Sequence, residues 1–152
     1  MQDANQVVLF TLDGQQYGLR LSAVDRIVRV VEVTPLPKAP EIVLGVVNLQ
    51  GRVIPVFDIR RRFRLLQREI QLSDHLIVAH TTRRAVALVV DSVTAVVEPS
   101  EQELVEPREI LPNLEYVEGV AKQEDGMILI HDLDGFLSLE EDRALDDAML
   151  SG

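Results

Sequence analysis

Residues 45–63 read GVVNLQGRVIPVFDIRRRF, and this stretch decides the fold class. Two apolar runs, 46–49 and 53–59, are split by Gln50-Gly51. Short runs rich in valine and isoleucine around a two-residue turn signal predict two antiparallel strands in a hairpin. The second run then ends in Arg60, Arg61, Arg62 and Arg64.

The same pattern extends in both directions. Upstream, residues 7–12, Asp13-Gly14 and residues 15–21 predict another hairpin, because Asp-Gly suits a turn whose two central residues have positive φ. Ser22 is placed to cap one helical turn through Asp25. Residues 26–33 predict a strand. Three prolines within 34–40 forbid a ladder and make a rigid connector. Residues 41–44 predict one helical turn closed by Gly45.

Downstream, the polar segment 65–73 marks a boundary, and the strand pattern then restarts. Strands are predicted at 75–80, 85–90 and 92–97, with a turn at Arg83-Arg84. The acidic segment 98–108, with Pro99 and Pro107, reads as a loop or short edge element. Residues 116–122 and 127–131 read as a further hairpin with Asp125-Gly126 near its turn. Ser138-Leu139-Glu140-Glu141 matches a capping box. It opens a helix at about 138–150, with Leu139, Leu145, Ala148 and Met149 on one face and Glu140, Asp142, Asp146 and Asp147 outside it. The expected fold is mainly β: two small five-stranded β-barrel lobes packed together, with a C-terminal helix. We expect a single domain over 1–152, with lobe one at about 6–64 and lobe two at about 74–133. The start at Met1 and the closing helix suit a free-standing protein.

Composition narrows the function. Of 152 residues, 47% are hydrophobic but only 4% aromatic, with no tryptophan, so Val, Ile and Leu must fill the core. The lack of cysteine excludes disulfides and thiolate metal sites. No apolar run is long enough for a signal peptide or a membrane span, so a soluble cytoplasmic protein is expected. The net charge of −10 argues against nucleic acid as a partner, despite the arginine run. The charge is uneven: residues 1–94 balance at +3 and residues 95–152 at −13. Such asymmetry either steers partners of both signs or keeps an acidic surface soluble.

No catalytic set emerges. His75 and His80 have opposite parity on one strand, so they do not make a metal pair. His131 stands beside Asp132, where a strand-end histidine bonded to a neighbour is a plainer account than hydrolysis or metal binding. Asp132-Leu133-Asp134-Gly135 opens like a calcium loop, but the glycine comes too early and Phe136 takes the fifth ligand position. No serine sits in a Gly-x-Ser-x-Gly elbow, and phosphate-loop, dinucleotide and His-Glu-x-x-His patterns are missing from the sequence. The sequence therefore predicts no enzyme, no metal and no cofactor.

The chain resembles the CheW family of coupling proteins in bacterial chemotaxis. The matching pieces are Phe10-Thr11-Leu12, Gln16-Tyr17-Gly18-Leu19, Val24-Asp25-Arg26-Ile27, the stretch from Gly45 to Ile59, the run Val86-Ala87-Leu88-Val89-Val90-Asp91-Ser92-Val93, and Gly126-Met127-Ile128-Leu129-Ile130-His131-Asp132-Leu133. The resemblance covers about residues 6–150. It implies two five-stranded barrels around a shared core and no enzymatic activity. It implies a scaffold linking methyl-accepting chemoreceptor tips to the regulatory domain of a CheA-type histidine kinase. The setting it implies is cytoplasmic, at membrane-associated receptor arrays, without direct membrane insertion.

By the same resemblance, Val24, Leu76, Ile77, Ala87 and Val93 line a receptor-binding groove, and Arg26 and Gln50 add to it. Ordinary core packing accounts for the apolar members equally well. Arg60, Arg61 and Arg62 are candidates for a charged interface with the kinase. Family members commonly carry Glu where this chain has Arg26 and Arg where it has Gln50. A receptor matched to the usual pair would meet a reversed charge here. A scaffold in a non-flagellar pathway of pilus motility, development or gene regulation is therefore one alternative. A small-ligand-binding β-barrel protein is another, and it would need a pocket containing His131 and Asp132.

Overall fold

The computed structural model describes residues 6–63, 65–100, 103–105, 117–123 and 126–151. Strands β1 (Val7–Leu12) and β2 (Gln15–Arg20) form the expected first hairpin. Leu12 pairs with Gln15, and Asp13 and Gly14 both take positive φ, +52° and +80°. A 3-10 turn, Leu21–Ala23, leads into β3 (Val24–Arg29). Arg20 precedes that turn and no side chain caps it, so Ser22 lies inside the turn instead of capping a helix. Strands β4 (Val43–Leu49) and β5 (Arg52–Phe57) are the hairpin of the opening stretch. Gln50 and Gly51 turn at φ +53° and +86°, and the Asn48 side chain accepts the Gly51 N–H at 2.9 Å.

The helical turn expected at 41–44 is absent, because the chain is already extended from Val43. Gly45 does not close a helix. It sits at a bulge in the β4–β5 register with φ +157°. A Cβ there would fall 2.2 Å from the Thr34 carbonyl oxygen. Only glycine allows that approach, and Thr34 and Val46 exchange two backbone hydrogen bonds of 2.8 Å across it.

β5 stops at Phe57, two residues short of the apolar run. Asp58 then caps α1 (Ile59–Arg62) by accepting the Arg61 N–H at 3.2 Å. After the irregular segment 65–73 come β6 (His75–His80), β7 (Ala85–Val90) and β8 (Ser92–Val97), where they were expected. The acidic stretch contributes a two-residue edge strand, β9 (Leu104–Val105). β10 (Val117–Gln123) and β11 (Gly126–His131) form the last hairpin. A 3-10 turn, Leu133–Gly135, precedes helix α2 (Leu139–Ser151). Arg64, Tyr116, Asp125 and residues 101, 102 and 106–108 lie outside the described residues.

The strands make one six-stranded sheet, ordered β8-β1-β2-β11-β10-β9, and one five-stranded sheet, ordered β3-β6-β7-β5-β4. The mainly β, two-part fold with a closing helix is as expected. Among the described residues neither sheet closes into a barrel through its ladders, although the Thr34–Val46 bridge laces the free edge of β4 to the chain beyond β3. The sheets also ignore the split expected at 65–74. β1 and β2 join the sheet of the late strands, while β6 and β7 join that of the early ones. Four pairings do this: β1 with β8 and β3 with β6, both antiparallel, and β2 with β11 and β5 with β7, both parallel.

Three apolar clusters follow from period-two alternation on the two sheets. Val7, Leu9, Ala121, Ile128 and Ile130 pack on one another within the six-stranded sheet. Val47, Leu49, Ile54, Val56, Leu76, Val78 and Ala87 do so within the five-stranded sheet. The largest cluster joins the two, with Phe10, Leu12 and Leu19 from one sheet and Phe57, Ile77, Leu88 and Val90 from the other.

α2 packs on this shared cluster. Its capping box forms as read: Glu141 accepts the Ser138 N–H at 2.9 Å, and Ser138 Oγ accepts the Glu141 N–H at 3.1 Å. Its buried face differs from the expected one. Leu145 and Ala148 are buried, but Leu139 is 66% exposed and Asp142, expected outside, is only 7% exposed.

Candidate functional site

The groove positions do not come together on one surface. Leu76, Ile77 and Ala87 are all at 0% exposure, so none lines an open groove in this structure. Leu76 and Ile77 are neighbours on β6 and point to opposite faces. Leu76 joins Ala87 inside the five-stranded sheet, whereas Ile77 belongs to the shared cluster. Val24 and Val93 are half-buried at the rim of the shared cluster, one from each sheet. Arg26 and Gln50 are exposed. Arg26 follows a bulge on the edge strand β3, and Gln50 is in the β4–β5 turn.

The consecutive arginines have three different fates. Arg60 is 7% exposed and points inward, which removes it from any charged outer interface. It donates to Asp13 at 2.7 Å and to Asp91 at 2.5 Å. Arg61 is the outward one, with Glu41 at 3.4 Å. Arg62 makes a two-pronged contact with Glu141 of α2, at 2.7 and 2.8 Å.

Arg60 belongs to a chain of charges along the join between the sheets. Asp91, between β7 and β8, also accepts the Asp13 N–H at 2.8 Å and an Arg68 N–H at 2.5 Å. Arg68 continues to the buried Asp74 at 2.7 and 3.0 Å. Burial pushes the Asp91 carboxyl up, but the Asp13 N–H, Arg60 and Arg68 outweigh it and hold it below its usual range. Burial lowers the Arg60 guanidinium, and its bonds to Asp13 and Asp91 more than reverse that. These charges pin the Asp13-Gly14 turn of one sheet to the segment that leads from the other.

A second set of charges holds α2. Asp142 faces both Arg83 and Arg84 of the β6–β7 turn, with Arg84 at 3.0 Å, and Arg84 also pairs with Asp146. Burial pushes the Glu141 carboxyl up, but the Ser138 N–H and Arg62 prevail and lower it. The charge asymmetry of the sequence is thus partly spent inside the molecule, since Arg62, Arg83 and Arg84 meet the acidic end, and Arg20 pairs with Glu118.

The residues with chemical potential are arranged as structure. His131 ends β11 within an aromatic group, 4.2 Å from the Phe63 ring and 5.4 Å from Tyr17. It is 4% exposed. His80 is exposed beside Asp25 at 2.8 Å, and His75 lies on the other face of β6. Asp132 accepts the Asp134 N–H at 3.1 Å and starts the 3-10 turn. Asp134 in turn accepts the Thr82 N–H at 2.7 Å. A pocket lies beside α2, over Phe57, Val86 and Leu133 and under Leu137 and Leu139, and neither His131 nor Asp132 lines it. Among the described residues no group of three or more His, Asp or Glu could hold a metal. Among the same residues no helix is long and apolar enough to cross a membrane.

The sequence reading missed Asp13, Arg68, Asp74, Asp91 and Asp142 as binding partners. An aspartate in a tight turn is visible in the sequence, but nothing local names the arginine it meets.

Comparison with known proteins places the chain as a whole. The family model of the CheW-like domain matches residues 6–141. A chemotaxis protein CheW of Rhizobium meliloti is 31% identical over 91% of this chain and 91% of its own length. One from Treponema pallidum is 26% identical over 90% of this chain and 84% of its own. The crystal structure of the scaffolding protein TtCheW from Thermoanaerobacter tengcongensis superposes with a TM-score of 0.81 at 30% identity, covering 91% of this chain and 95% of that one.

Proposed function

The chain belongs to the CheW-like family, and from that premise we propose that it is a non-enzymatic scaffold coupling chemoreceptor tips to a CheA-type histidine kinase. The observation that carries this reading is the superposition on the scaffolding protein over nine-tenths of the chain. The proposed partners are the regulatory domain of the kinase and the helical hairpin tips of the receptors. The proposed place is the cytoplasmic side of a receptor array.

Coupling of this kind uses shaped surfaces. The receptor contact is proposed at the rim where Val24 and Val93 are half-buried, extended by exposed Arg26 and Gln50. The buried Ile77 belongs to the cluster beneath that rim. Arg61 is the outward arginine left for a charged kinase contact.

The exposed cation at Arg26 favours a receptor that offers an acid there, hence a receptor set unlike the family's usual one. A pathway other than flagellar chemotaxis fits that observation.

Purified chain is expected to bind both the cognate kinase regulatory domain and receptor-tip fragments with Kd at or below tens of micromolar, about 6 kcal/mol or more. Binding of neither at that concentration overturns coupling. Arg26→Glu with Gln50→Arg is expected to change receptor affinity by tenfold or more and kinase affinity by less than threefold. Equal changes would show that these two positions do not belong to the receptor contact.

A further inference from the structure

α2 is held unlike any strand in the molecule. Of its thirteen residues, Leu145 and Ala148 are the fully buried apolar ones, while Leu139 and Leu150 face solvent. Leu145 and half-buried Met149 pack on the shared cluster, and an ionic grip adds to that packing. Glu141, Asp142 and Asp146 meet Arg62, Arg83 and Arg84, which come from two separated parts of the chain. Arg83 and Arg84 also line a pocket with Phe57, Val86 and Leu133, which Leu139 and Asp142 of the first turn of the helix complete. The helix therefore lies in its seat without filling it. The segment entering it, Leu137-Ser138, is short and makes no ladder.

We propose that this arginine-rimmed face is a binding surface for an acidic amphipathic helix, filled by the chain's own α2 in the monomer and by α2 of a second copy in a helix-exchanged dimer. Charge complementarity selects the occupant. The seat is matched to acids at positions 141, 142 and 146 and to apolar side chains at 145 and 148, and a second copy presents the same set. Exchange repeats every contact of the closed form, so it needs no new chemistry, and helix exchange of this kind is a low-cost route to dimers. Screening of the ion pairs by salt loosens the closed form, whereas the strands, held by ladders and apolar packing, stay in place.

Two complementary variants test this in the full-length chain. Arg83→Gln with Arg84→Gln spoils the seat and leaves the helix intact. Asp142→Asn with Asp146→Asn spoils the helix and leaves the seat intact. In sedimentation equilibrium, a 1:1 mixture is expected to dimerise at least tenfold more tightly than either variant alone. A mixture as monomeric as its components at 500 µM overturns the exchange. Fluorescence anisotropy with a labelled peptide of residues 137–152 tests the seat itself. The helix-spoiled chain is expected to bind that peptide at least tenfold more tightly than the native chain, and 0.5 M NaCl to weaken it at least fivefold. Peptide binding without dimerisation of the mixture overturns the second copy as occupant and assigns the seat to an acidic helix of another protein. Hydrogen exchange on the native chain is independent of any variant. α2 amides are expected to exchange at least tenfold faster than those of β7, and faster again at 0.5 M NaCl. Equal protection at both salt concentrations overturns the proposal.

Discussion

Arg60 and Arg62 are two residues apart and serve opposite regions of the molecule. Arg60 turns into the join between the sheets, where Asp13 and Asp91 meet it and Arg68 carries the chain of charges to Asp74. Arg62 turns to α2 and adds an ion pair with Glu141 to the packing of Leu145 and Ala148. Both regions are built from arginine and carboxylate, yet they differ in what surrounds the charges. At the join the guanidinium is 8% exposed in its side chain, so removing it strands its partners. At α2 the outer acid, Asp146, is 53% exposed, so water replaces much of what is lost there, and the buried Asp142 has two arginines, Arg83 and Arg84, so losing one does not strand it. Burial, not the kind of pair, decides what an arginine contributes.

Substitution along the run sharpens that contrast. Arg60→Met is expected to cost about 3 kcal/mol, the low end for breaking a buried pair because Asp13 is partly exposed. Urea unfolding measures it, and the loss should persist in 0.5 M NaCl. Arg84→Gln is expected to cost about 1 kcal/mol at low salt and less at 0.5 M, since Asp146 lies within reach of screening and the buried Asp142 keeps Arg83. A salt-insensitive loss there would erase the distinction between the two regions. The acid limb of the stability curve separates them further. Asp91 and Glu141 are held below their ordinary values of 3.8 and 4.5, so the unfolded chain takes up their protons first. Their contribution is fully present above those values and is lost as pH falls through them toward the folded-state values. Arg60→Met should flatten the Asp91 part of that loss and Arg62→Gln the Glu141 part, as urea midpoints between pH 3 and 6 would record. Arg61→Ala, the outward neighbour, should change stability by less than about 0.5 kcal/mol. An effect as large as that of Arg60 would show that the run acts as one unit.

What could be read from the sequence was local. Asp13-Gly14, Gln50-Gly51 and Ser138–Glu141 announce two hairpins and a helix start, because each motif satisfies its own backbone within four residues. The sheets were not legible in the same way. Tyr17 pairs with Leu129 and Val56 with Ala87, and no residue type marks those distant partners. The helical turn expected at 41–44 failed because Thr34 crosses at Gly45, a contact made from outside the segment. Asp142 was read as outward because an acid breaks an apolar stripe, yet it occupies the stripe three residues before Leu145, where two arginines receive it. For the candidate site, parity alone already separates Leu76 from Ile77, as it does His75 from His80. The burial of Arg60 was hidden, since its partners lie 47 and 31 residues away.

The parallel pairing of β2 with β11 also sets a timetable for synthesis. Gly18 waits for Ile130, and at about 5–20 residues per second the ribosome needs roughly 6–22 s to deliver it. Until then the first hairpin has emerged with Val7 and Leu9, both later buried, lacking their mates on β10 and β11. The five-stranded sheet needs nothing beyond Val90, so it can assemble first and offer the waiting hairpin a template. A nascent chain stalled before residue 126 should therefore hold one finished sheet and one sticky, unfinished edge, the state in which a chaperone would find most to bind.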